Sequence, residues 1–110
     1  MSLYWQLFNT QNEKIESFTF NDIKFDGYYA PHFLSGININ KYNPYIPLYM
    51  KRDTPSGKLD TSGSQFQHFV YTIIDHAKEQ ENNEDSFMYL HFVLWLIAAK
   101  ASNHEIHIEF

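Results

Sequence analysis

The residues best equipped for chemistry are the six histidines and the acids beside them. His68 and His76 stand eight positions apart, about two helical turns, so a helix would place both on one face with Asp75 adjacent. Imidazole and carboxylate together are the material of general acid–base catalysis, if a pocket shifts their pKa values. A small hydrolase or nuclease using His68, Asp75 and His76 is therefore one reading. The same spacing suits a metal poorly, because two histidines that grip one ion from a helix stand four apart. His104 and His107 fall on opposite faces of a strand. His91 lies inside an apolar run and reads as a hydrogen-bonded core residue. Gly57-Lys58 ends like a phosphate-binding loop, but that motif needs glycine at 52 and Ser or Thr at 59, where the chain has Arg52 and Leu59. The glycines lack dinucleotide-binding spacing, and no nucleophile elbow is present. With no cysteine, thiolate catalysis, disulfides and cysteine-based zinc sites are excluded. The chain is read as a non-enzyme with no cofactor and no metal.

Charge is the second signal, and it is uneven. Residues 61–110 hold Lys78 and Lys100 against Asp75, Glu79, Glu81, Glu84, Asp85, Glu105 and Glu109, a sum of −5 that equals the charge of the whole chain. Such a surface repels a polyanion, so direct nucleic-acid binding is disfavoured. A basic protein partner is favoured, since opposite fields steer association. The densest acidic stretch is Glu79, Glu81, Glu84 and Asp85. The plain account of it is a solvated turn whose acids suit a helix N-terminus; the functional account is an anionic patch for a basic partner. Residues 28–49 concentrate tyrosines, among them Tyr42, Tyr45 and Tyr49. Tyrosine covers a sheet well and is also enriched among interface hot spots.

These side chains must be positioned by a fold of 110 residues, enough for one domain spanning 1–110. Aromatic residues make up 18%, too many for a disordered chain. The N-terminal third reads as strands. Residues 3–8 are aromatic and apolar, residues 10–13 form a polar turn, and Glu16, Phe18 and Phe20 alternate with Ser17 and Thr19. Asn21-Asp22 reads as a turn or bulge and Asp26-Gly27 as a hairpin turn. Four prolines punctuate residues 28–60, which argues against long helices there. Leu48 to Lys51 fits a short strand, and Thr54-Pro55-Ser56-Gly57 a turn. Phe66, Phe69, Val70, Ile73, Ile74 and Ala77 mark one face of a helix over 65–80, opened by a Ser64–Gln67 capping box. A second helix follows from about residue 84 to Ser102-Asn103. It is apolar nearly all round, so it should be the central, buried one. Residues 104–110 alternate strictly, with Ile106, Ile108 and Phe110 inward. The apolar run at 87–99 is too short to cross a bilayer, which needs about 20 residues. No signal peptide opens the chain, so a cytoplasmic protein without membrane attachment is expected.

Strands, then two helices, then a returning strand specify an α+β fold. The expected form is a mainly antiparallel sheet with two C-terminal helices packed on one face and a final C-terminal strand. In general character the chain resembles bacterial toxin-immunity proteins, and no family motif carries site residues over. That resemblance implies a small acidic inhibitor that binds a basic, nuclease-type toxin and occludes its active site. Glu79, Glu81, Glu84 and Asp85, with Tyr42, Tyr45 and Tyr49, are the expected contact residues. Besides the hydrolase, two other readings stand: a small-molecule-binding module with an aromatic cavity, and an assembly subunit pairing through an exposed edge strand.

Overall fold

A computed structural model describes residues 4–30, 48–51 and 54–109. Alternation along β1 (Tyr4–Phe8) buries Trp5 and Leu7 and leaves Tyr4, Gln6 and Phe8 half-buried on the opposite face. The turn after it is built by Asn9, whose Oδ1 accepts from the backbone N–H groups of Gln11 and Glu13 at 3.0 and 2.8 Å. Asn12 there has φ 64°, and β2 (Lys14–Ile15) follows, paired to β1. Strands β3 (Ser17–Phe20) and β4 (Ile23–Asp26) form a separate two-stranded hairpin. Its turn is Asn21-Asp22, with φ 51° and 63°, the double positive φ that a tight hairpin favours.

Asp26-Gly27 is not a hairpin turn, contrary to its sequence signal. Gly27 is buried where the chain passes from the small hairpin back to the main sheet. Its N–H donates to the Glu16 carbonyl at 2.8 Å, and its carbonyl accepts from the Leu7 N–H at 3.1 Å. A Cβ at this position would meet the Ile15 carbonyl oxygen at 1.8 Å, so close backbone approach is what requires glycine. Strand β5 (Tyr28–Tyr29) then pairs with β1.

Strand β6 (Leu48–Lys51) forms where expected. The residues read as a turn, Thr54 to Gly57, instead open β7 (Thr54–Leu59), paired to β6. Pro55 lies near the start of β7, opposite Met50 of β6. Strand β8 (Glu105–Glu109) lies between β1 and β7, giving the order β2-β1-β8-β7-β6 with every pair antiparallel.

Helix α1 (Ser64–Glu79) starts one residue earlier than its pattern suggests. Its N-cap is Gly63, with no side-chain cap, so the Ser64 capping box does not form. Helix α2 (Asn83–Ala101) is capped by Asn82, whose Oδ1 accepts from Glu84 N–H at 2.8 Å. It ends in a Schellman motif. Asn103 adopts φ 60°, its N–H donates to the Lys100 carbonyl, and the His104 N–H donates to the Ala99 carbonyl, both at 3.0 Å. That sharp stop turns the chain directly into β8.

Both helices lie on the Trp5/Leu7 face of the sheet. The Trp5 ring stacks on Phe69 at 5.9 Å and meets Phe92 edge-on at 5.1 Å, so β1, α1 and α2 converge on one indole. Around it Leu7, Ile73, Leu96 and Ile106 are fully buried. The Trp95 indole N–H donates to the Asp26 carbonyl at 2.6 Å, which ties α2 to the small hairpin. The fold is thus α+β, an antiparallel sheet with two helices on one face and a closing strand. Among the described residues no helix is long and apolar enough to cross a membrane.

Candidate partner-binding surface

The turn joining α1 to α2 carries the acidic stretch. It is rigidly made. The Gln80 N–H donates to the Ala77 carbonyl at 3.3 Å, its side chain donates to the His76 carbonyl at 2.9 Å, and Asn82 caps α2. Between these two caps Glu81 is exposed, as are Glu79 and Glu84, while Asp85 is half-buried. Among the described residues no lysine or arginine pairs with any of the four, although Lys78 adjoins them in sequence. Glu84 and Asp85 occupy the first turn of α2, where the positive end of the helix dipole favours them. Glu79 sits in the last turn of α1, at the negative end, and Glu81 belongs to neither helix. The dipole therefore accounts for two of the four acids and opposes a third. Glu79 has an imidazole within reach, His76 Nδ1 at 3.8 Å. Burial, then the Asp85 charge, push the Tyr89 hydroxyl above the ordinary tyrosine range.

Of the tyrosines read as contact residues, Tyr42 and Tyr45 lie outside the described residues. Tyr49 has its backbone in β6, and its side chain lies outside them too.

One feature of this surface has no counterpart in the sequence reading. Helix α2 is central but not enclosed. Its inner side buries Tyr89, Phe92, Leu96 and Ala99, and Val93 and Trp95 are covered on its flanks. The opposite side is apolar and open: Phe87 is 68% exposed, Leu94 57%, Ile97 43% and Leu90 38%. His91 is also exposed, its ring 5.9 Å from that of Tyr29, so it is not the core residue expected. Ile97 joins the stripe to a groove of about 600 Å³ between the helices, where Val70, Tyr71 and Ile74 of α1 face Ile97 and Lys100 of α2. The Lys100 Nζ lies 4.9 Å over the Phe66 ring.

The histidine cluster is only partly assembled. Asp75 and His76 line a shallow cleft of about 200 Å³ with Thr72 and Glu79. His76 also stacks on Tyr89 at 6.0 Å. His68 does not line that cleft; it is exposed, and its carbonyl accepts from Thr72 Oγ1 at 2.9 Å. On the far face of the sheet Glu105 accepts from Lys58 Nζ at 3.1 Å and lies 3.3 Å from His107 Nε2. Those contacts hold its carboxyl below the usual range, the lysine bond first. His107 packs on Phe8 at 4.5 Å and His104 on Phe18 at 5.0 Å. Among the described residues no three His, Asp or Glu side chains gather as metal ligands would.

No family model matches this chain, and no curated protein or solved structure is significantly similar to it.

Proposed function

We propose that this protein is a small acidic, stoichiometric inhibitor, most concretely a bacterial immunity protein that neutralises a basic, nuclease-type toxin in the cytoplasm by occluding its active site. The supporting observation is the α1–α2 turn. Glu79 and Glu81 are exposed there, gain nothing from a helix dipole, and have no lysine or arginine pairing with them among the described residues. A toxin that acts on nucleic acid carries positive charge to engage phosphate, and an exposed acidic turn is complementary to that field. The hydrolase reading has less support, because His68 stands outside the cleft that holds Asp75 and His76.

The direct test is affinity capture from the native cell, followed by co-expression with each basic protein recovered. Rescue of growth from that protein's toxicity is the expected result. Reversing Glu79, Glu81, Glu84 and Asp85 to lysine should then slow association by about tenfold or more at low salt and flatten its salt dependence. A second variant reverses only Glu79 and Glu81, leaving the first turn of α2 intact. Association unchanged in both variants removes the acidic turn from the account.

A further inference from the structure

The exposed side of α2 presents Phe87, Leu90, Leu94 and Ile97 alternately three and four residues apart, a straight apolar line along a rigid helix. Singly exposed apolar residues are ordinary, but a contiguous line of four is not. Among the described residues the sheet, α1 and the β3–β4 hairpin fill the other sides of α2 and leave these four exposed. At the Lys100 end the line opens into the groove beside Tyr71 and Ile74; at the other end Glu84 stands one turn before Phe87.

We infer that this face is a docking site for an amphipathic helix of the partner, apolar along one side and carrying lysine or arginine at the end lying over the α1–α2 turn. The inference rests on the protein-binding reading above and adds where the binding free energy arises. Spacing of this kind accepts a helix laid lengthwise, with anchors at i, i+3 or i+4, and i+7. Charge selects a basic occupant over a second copy. Two copies joined in parallel along the stripe bring acidic turn onto acidic turn. Joined antiparallel, they set the acids of each turn against Lys100, the one basic side chain in the last turn of α2, and the negative end of its dipole, a weaker complement than several lysines or arginines of a partner. A lipid surface is disfavoured as well, since interfacial helices carry lysine and arginine on their polar face.

The probe is a synthetic amphipathic helix of about four turns, leucine at the anchor positions and three lysines at one end. Its controls are the same peptide with glutamates for the lysines, and a scrambled one. Binding is read by amide chemical shifts and by titration at two salt concentrations. The expected result is shifts confined to α2 and the Tyr71 side of α1, with at least about tenfold weaker binding for the glutamate peptide. Leu94→Glu and Phe87→Glu, both at exposed positions, should each weaken binding about tenfold without altering the melting temperature. Shifts centred on the outer face of the sheet, equal binding by the scrambled peptide, or no binding would overturn the inference. So would salt-dependent self-association of the free protein that Leu94→Glu abolishes, or co-sedimentation with anionic phosphatidylserine vesicles. The two proposals fail separately. If Leu94→Glu leaves toxin binding intact while acid reversal impairs it, the inhibitor reading survives and the docking site does not.

Discussion

Both tryptophans are buried in the same core, and their indole N–H groups meet different fates. That of Trp95 donates to the Asp26 carbonyl, whereas that of Trp5 is buried with no partner among the described residues. A buried donor left unpaired costs about 1–3 kcal/mol, while a made bond contributes about 1 kcal/mol net. Replacing either ring with phenylalanine loses similar volume, but only at Trp5 does it also remove an orphaned polar group. Trp95→Phe is therefore expected to destabilise by about 1–2 kcal/mol more than Trp5→Phe, read as the difference in urea-unfolding free energies. Equal costs would contradict the assignment of the Asp26 bond. Residue-level signals in the sequence divide along similar physical lines. Asn21-Asp22 was legible because a positive-φ turn depends on the two residues themselves. Gly27 was misread because its need for glycine comes from the Ile15 carbonyl, a contact twelve positions away that no local pattern carries.

Element by element, periodicity served best where a helix or strand has one buried side. The α1 pattern named Phe66, Phe69, Val70, Ile73, Ile74 and Ala77; all are buried except Ile74, which is half-buried at the edge of the core. The same logic failed on α2, since a helix apolar all round carries no mark of which side meets water. Architecture held the missing signal: among the described residues a sheet lies beneath α2 and a single helix beside it, and these supply no layer over its remaining side. The two sides should behave as different materials. Leu96 is fully buried, and Leu96→Ala is expected to cost about 2–5 kcal/mol. Leu94→Ala, two positions earlier on the open side, should change stability by less than about 0.5 kcal/mol. Thermal or urea melts of the two variants check this, and a costly Leu94→Ala would mean that the chain itself covers the stripe. Of the proposed contact surface, the acidic turn was visible as composition, but the apolar stripe beside it was not.

At the scale of the whole molecule, strand order was the least legible feature. Alternation placed Ile106, Ile108 and Phe110 inward, the last lying outside the described residues, but could not say that β8 would enter between β1 and β7. That position makes residues 105–109 indispensable. A chain cut after Asn103 keeps both helices yet loses both ladders that flank β8, together with two fully buried isoleucines. It should show no cooperative unfolding transition, with helical circular dichroism reduced and tertiary signal lost; a sharp melt would show that the remaining elements fold without it. The central place of β8 also bears on synthesis. Tyr4 pairs with Glu109, so β1 must wait for its β8 partner, with Trp5 and Leu7 incompletely covered, until residues 105–109 have been translated. Contacts so far apart along the chain close slowly. During that wait the nascent protein exposes apolar strand edges, and its yield in the cell should depend on chaperones that shield them.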